Sequence, residues 1–173
     1  MKRVLIVVDM QNDFIVGSLG TREAQGIVEN VKCKIKQYED RGDTVIFTRD
    51  THTNEYLFTL EGKNLPVEHC IRGTAGWMIA DGLEGAQSYI YVDKPSFGWL
   101  GWKKLFEENK LDPSEIELCG LCTDICVVSN ALILKAVFPE TPLSVDASCC
   151  AGVTPKTHSA ALETMRMCQV TIL

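Results

Sequence analysis

Six short runs of β-favouring, almost uninterrupted apolar residues punctuate this chain: Val4–Val8, Thr44–Thr48, Ser88–Val92, Glu115–Cys119, Leu143–Val145 and Val170–Leu173. A strand with one wet face alternates apolar and polar side chains. A run without that alternation is covered on both faces, as in a parallel sheet held between helices. Helical patterns fill most of the gaps. Ile27, Val28, Val31, Ile35 and Tyr38 recur at helical spacing, and Gly42 stands where that helix would stop. A shorter helix fits Trp102–Asn109, and Ile125–Phe138 is apolar nearly all round, as suits a helix packed deep on a sheet. Thr154-Pro155 reads as an N-cap followed by proline at the first helical position, with Ala161, Leu162 and Met165 as the buried stripe. Strand–helix alternation of this kind predicts an α/β fold of three layers, α/β/α, with right-handed crossovers.

No repeat, low-complexity tract or linker divides the sequence, so one domain over residues 1–173 is expected. A chain of 173 residues buries about 70 % of its unfolded surface, enough for a core without covalent staples. The eight cysteines are therefore expected as reduced thiols in a cytoplasmic protein. The opening apolar run ends at Asp9 after five residues, short of the ~7–15 of an export signal. No stretch nears the ~18 apolar residues of a membrane helix, so no membrane partner is expected. With a net charge of −6 and no basic run, no nucleic-acid partner is expected either.

The exception to regular alternation is Arg49–Ala80, a long irregular stretch of the kind that usually carries function. Ligands in such sheets bind beyond the carboxyl ends of the strands. Three ionisable groups fall at such ends: Asp9, Lys94 and, after the fourth strand, Cys126. A thiol at a helix N-terminus feels the positive end of the macrodipole, which favours the nucleophilic thiolate. A carboxylate there can take its proton, and a lysine can hold both charges in place. Each residue alone reads more readily as core, cap or solvated surface; the three together point to one cleft. Asp13 reads as a cap or turn residue, His158 as structural, and Cys149-Cys150 as packing residues. Asp50-Thr51-His52 at a strand end presents Asp50 and His52 to one side, because the strand period is two. His69 and Glu61 lie on the irregular stretch and can return to them.

The chain resembles the isochorismatase-like cysteine hydrolases, in particular their nicotinamidase-related branch. The resemblance runs from Val4 to about Ala151. It is carried by Val8-Asp9-Met10-Gln11-Asn12-Asp13-Phe14, Asp50-Thr51-His52, Pro66-Val67-Glu68-His69-Cys70-Ile71-Arg72-Gly73-Thr74, Lys94 with Phe97, and Gly120-Leu121-Cys122-Thr123-Asp124-Ile125-Cys126-Val127. It implies a triad of Asp9, Lys94 and Cys126. It also implies a cis peptide between Leu121 and Cys122, and an oxyanion hole from the N–H groups of Cys122 and Cys126. A divalent metal is implied on Asp50, His52 and His69, with zinc expected first and manganese or iron as alternatives. No histidine occurs in Thr53–Phe58, where the commonest pattern has one, so Glu61 is taken as the further ligand. Pro66 stands where an aromatic residue is expected. Phe14 is implied as an aromatic wall of the substrate pocket, with Trp77 and Phe97 as further candidates.

The architecture expected is a six-stranded parallel sheet in the order 3-2-1-4-5-6. That order sets the third strand two places from the first, so Lys94 has to lean inward to meet Asp9. The activity expected is hydrolysis of a small carboxamide through a thioester, nicotinamide first, in a homo-oligomer (dimer or tetramer). A hydrolase of another small amide or carbamoyl compound is the neighbouring reading. A non-catalytic redox or metal-binding protein is the reading from another class, and it requires an exposed, reactive thiol.

Overall fold

Each of the six apolar runs forms a strand. The computed structural model describes residues 2–85 and 88–173. In chain order its elements are β1 (Arg3–Val8), α1 (Asn12–Ile15), α2 (Arg22–Gly26), α3 (Val28–Asp40), β2 (Thr44–Asp50), α4 (Leu60–Asn64), β3 (Ile90–Lys94), α5 (Trp102–Glu108), β4 (Glu115–Leu121), α6 (Val128–Val137), β5 (Leu143–Ala151), α7 (Pro155–Met167) and β6 (Thr171–Ile172). The strands pair in parallel as β3-β2-β1-β4-β5-β6, the order expected. Residues Val4 to Val8 of β1 are 0–1 % exposed, which accounts for their lack of alternation. Burying each such side chain contributes roughly 1.5–3 kcal/mol.

α3 packs on β1 and β2, while α6 and α7 pack on β5 and on each other. Right-handed crossovers running outward in both directions from β1 and β4 place those two groups of helices on opposite faces. The Thr154 hydroxyl accepts from the Thr157 N–H, and Pro155 opens α7, as its sequence demands. Away from the strand ends, a buried charge in the middle of the sheet is paired from α3. Glu117 of β4 accepts from Lys34 Nζ at 2.7 Å and from the Tyr38 hydroxyl at 2.7 Å, both offered by α3.

Register decides where function can sit. Val8 lies between Thr48 of β2 and Gly120 of β4, and Asp50 lies beside Lys94 of β3. The ends of all four strands therefore open at one edge, at the point where the strand order reverses. Gly120 makes the β1–β4 approach there possible. Its φ is +113°, and a Cβ would sit 2.1 Å from the Val8 carbonyl oxygen.

The helix expected at Ile125–Phe138 begins earlier and more loosely. A single wide π turn, Thr123–Val127, precedes α6, and the Cys122 carbonyl accepts from both Ile125 N–H and Val127 N–H. No peptide bond among the described residues is cis, so the expected cis bond at Leu121–Cys122 is corrected to trans. A non-proline cis bond costs ~3–4 kcal/mol. Here the chain turns instead through the positive φ of Gly120 and the wide turn that follows.

Candidate active site

Asp9 is the residue after β1 and has a left-handed backbone, φ 47°, which aspartate tolerates better than most side chains. Its carboxylate is fully buried and receives the Thr48 hydroxyl at 2.6 Å. Thr48 and Asp50 share one side of β2, since they are two residues apart. Lys94, at the end of β3, crosses the width of β2 to bring Nζ within 2.7 Å of Asp9 Oδ2. The same ammonium lies 3.7 Å from Asp50 Oδ1 and donates to the Ser96 carbonyl at 3.2 Å. Burial opposes its charge, but Asp9 leads a set of anionic neighbours that outweigh it, so Lys94 is held above the usual lysine range. Burial lifts the Asp9 carboxyl above its ordinary value, and Lys94 holds back part of that rise.

Cys126 arrives from the far side of β1, in the wide turn. Its Sγ lies 3.4 Å from Lys94 Nζ. Burial, reinforced by the Asp9 carboxylate, pushes the thiol well up, so the resting sulfur keeps its proton with an acceptor and a cation beside it. Cys122 is also pushed up, to about 12, mainly by burial. Neither thiol has the exposure and acidity of a redox sensor. Among the described residues the exposed cysteines are Cys33 and Cys168, far from this cluster in sequence.

The irregular stretch after β2 is tied down by side chains that sequence reasoning passed over. Gln11 donates to the Asp50 and Trp77 carbonyls at 2.9 and 2.8 Å and accepts from Asp50 N–H at 2.7 Å. Asp13 accepts from Cys70 N–H at 2.7 Å, a long-range pinning role rather than the cap or turn role expected of it. Isolated bridges at His52–Ile71 and Gln11–Ile79 complete the return. Asn130 of α6 holds the other wall: its amide donates to the Phe97 and Cys126 carbonyls at 2.9 and 2.8 Å. Thr48 and Asn130 each carried one signal, a polar residue beside an apolar run; Gln11, among Asp9, Asn12 and Asp13, carried none.

This return brings Asp50, His52, Glu61 and His69 together, with one ligand atom from each inside a group spanning at most 4.8 Å. Asp50 Oδ2 lies 2.9 Å from His52 Nε2 and 3.4 Å from His69 Nε2. Glu61 Oε1 is 3.6 and 3.7 Å from the same two nitrogens. His69 Nδ1 donates to the Val67 carbonyl at 2.8 Å, which leaves Nε2 as the lone-pair nitrogen facing the cluster. Tyr56 packs against both imidazoles, at ring-centroid distances of 4.6 and 4.9 Å. Asp50 Oδ1 is buried without a hydrogen-bond partner. Two imidazoles and two carboxylates whose facing atoms lie within 4.8 Å of one another are a donor set that fits a divalent cation.

Cys126, Asp50, Glu61 and His69 share the walls of one cavity of about 710 Å³, with Phe14 and Phe97 as its aromatic sides. Asp9 and Lys94 stand behind the thiol rather than in the walls. Trp77 is not among the walls either. Its indole N–H donates to the Thr51 hydroxyl at 2.8 Å, and the Arg49 guanidinium lies 3.9 Å from its ring centroid. His158 shares a 2.8 Å hydrogen bond with the Thr123 hydroxyl and steadies the turn that carries Cys126.

The isochorismatase domain family matches residues 3–173 of the chain. The nicotinamidase/pyrazinamidase of Mycobacterium tuberculosis is 28 % identical over 190 aligned residues, covering 99 % of this chain and 98 % of that protein. Among solved structures, the nicotinamidase/pyrazinamidase PncA of Bacillus subtilis superposes with a TM-score of 0.87 at 25 % identity, covering 99 % of each chain. The pyrazinamidase of Pyrococcus horikoshii, solved in complex with zinc, shares the fold, with a TM-score of 0.84 at 23 % identity over 100 % of this chain and 99 % of that one.

Proposed function

The chain belongs to the isochorismatase family, and on that premise we propose that it is an amidohydrolase that opens a primary carboxamide, nicotinamide in the simplest case, through a thioester on Cys126. The observation that carries the reading is the buried contact of three groups: Lys94 Nζ is 2.7 Å from Asp9 and 3.4 Å from Cys126 Sγ, beside a cavity that admits a small amide.

Asp9 takes the Cys126 proton while the Lys94 ammonium stabilises the thiolate. The sulfur attacks the carboxamide carbon, and the C–S bond forms as the carbonyl π pair moves to oxygen. The N–H groups of Cys122 and Cys126 are the proposed donors to that oxyanion; removing one donor from comparable sites costs ~3–4 kcal/mol of transition-state stabilisation. Asp9 returns the proton to nitrogen, the C–N bond breaks and ammonia leaves. Water then enters, Asp9 takes its proton, and the C–S bond breaks to release the acid and restore the thiol. Asp50, His52, Glu61 and His69 are the residues that would hold a divalent metal. Such an ion supplies a fixed positive anchor for an electron-pair donor on the substrate.

Purified protein is expected to release ammonia and nicotinate from nicotinamide in equal amounts. Protein that releases ammonia from no primary amide overturns the proposal. Two further results follow from the geometry. Chelation is expected to lower nicotinamide turnover, chiefly through KM, with recovery on adding zinc. His69→Ala should lose bound metal by elemental analysis, whereas unchanged metal content would remove His69 from the ligand set. The second result concerns pH. Protonated Asp9 cannot accept the thiol proton, so kcat/KM falls as pH drops through its pKa. Because burial raises that pKa above the ordinary value of 3.8, the fall begins at higher pH than an exposed aspartate would give. A profile recorded at saturating zinc with its acid limb at or below 3.8 contradicts this.

A further inference from the structure

The cavity is much larger than the reaction requires. At about 710 Å³ it lies in the ~300–1,000 Å³ range of sites that enclose drug-sized ligands, and a single-ring carboxamide leaves most of it vacant. The charged groups in its walls, among the described residues, are Asp50, Glu61 and His69, all in the metal-type cluster at the inner end. Among the described residues no lysine or arginine lines it, so no side-chain cation there would pair with a carboxylate or phosphate on a substrate. Its exposed walls are Leu60, Leu65, Pro95, Phe97 and Val153, with Asn64 and Ser96 as uncharged polar members. Leu60 is 78 % exposed, Val153 53 % and Phe97 44 %, which is apolar surface left in water at the rim of a cleft. Exposed apolar side chains beside a cleft suit an apolar ligand.

We infer that the cavity takes a primary amide with an uncharged apolar extension, an alkyl or aryl tail running from the thiol toward Val153 and Leu60. This rests on the amidohydrolase reading and adds the substrate class to it. The amide group is held at Cys126, and the tail displaces water from the leucines and Phe97. Nicotinamide fills the inner end only and is turned over as a fragment of the preferred substrate.

A series of straight-chain primary amides, from propionamide to decanamide, tests this in two assays. The first is ammonia release by the parent protein. The second is equilibrium binding of the same amides to Cys126→Ala. Each added methylene is worth ~0.8 kcal/mol when buried, so kcat/KM is expected to rise about fourfold per methylene over the first several. Val153→Asp is expected to lower kcat/KM for the longest amides at least tenfold. Turnover of nicotinamide and propionamide with a flat or falling profile along the series overturns the inference and leaves the hydrolase standing. Affinity for Cys126→Ala that rises along the series while the parent releases no ammonia supports the apolar site and sinks the hydrolase alone. Affinity that does not rise overturns the inference whatever the turnover.

Discussion

Cys126→Ala is expected to release ammonia from nicotinamide about 10⁴–10⁶-fold more slowly than the parent, the scale of loss when a nucleophile is removed from a covalent mechanism. The variant should fold. The thiol is small, and replacing it removes one group from a buried site without leaving a new unpaired charge, since Lys94 keeps Asp9 at 2.7 Å. The loss should fall on kcat, with metal content unchanged and amide binding close to the parent, because the other cavity walls and the Asp50 cluster are untouched. Stopped assays of ammonia alongside circular dichroism separate these effects. A folded Cys126→Ala protein with parent-like turnover rejects the nucleophile assignment outright.

Lys94→Met is expected to damage both stability and turnover. Lys94 is 0 % exposed and stands between two buried carboxylates, Asp9 at 2.7 Å and Asp50 at 3.7 Å. Removing the cation strands the Asp9 carboxylate in a medium that solvates it poorly, while Asp50 keeps His52 and His69 beside it. Breaking a buried ion pair from one side costs ~3–5 kcal/mol. With a urea slope of ~2 kcal/mol per molar, the unfolding midpoint should fall by roughly 2 M. Methionine has similar length and no charge, so a packing defect contributes little. Adding Asp9→Asn to Lys94→Met removes the stranded charge and should recover part of the stability and none of the activity. That split distinguishes an electrostatic role from a steric one. An unchanged midpoint in Lys94→Met means that the buried pair is not what holds this end of the sheet together.

The strands were readable because burial on both faces writes itself into consecutive apolar residues, as in Val4–Val8. β5 was read as three residues and runs from Leu143 to Ala151, because its polar members find partners on α3. Asp146 accepts from Lys34 at 2.8 Å, and the Ser148 carbonyl accepts from Asn30 at 2.8 Å. Such cross-layer pairs are invisible to a local pattern. The helices α1, α2 and α4 span four or five residues, less than two turns, and so carry no periodicity to detect.

At the site, strand ends drew attention to Asp9, Asp50 and Lys94, and family resemblance supplied the link to His69 and Glu61 across an irregular stretch. The meeting of those residues depends on Gln11 and Asp13 pinning that stretch, contacts that no spacing rule anticipates. The turn before Cys126 departed from expectation for a local reason. Gly120 supplies the bend through its own backbone freedom, and the peptide that follows Leu121 stays trans.

The central claim is that an acyl group passes through the sulfur of Cys126, and mass spectrometry of protein acid-quenched during nicotinamide turnover tests it most directly. The account predicts a fraction of the chain heavier by one nicotinoyl group, carried on the peptide that contains Cys126 and lost on treatment with hydroxylamine. Steady turnover with the nicotinoyl group on a different residue would contradict it.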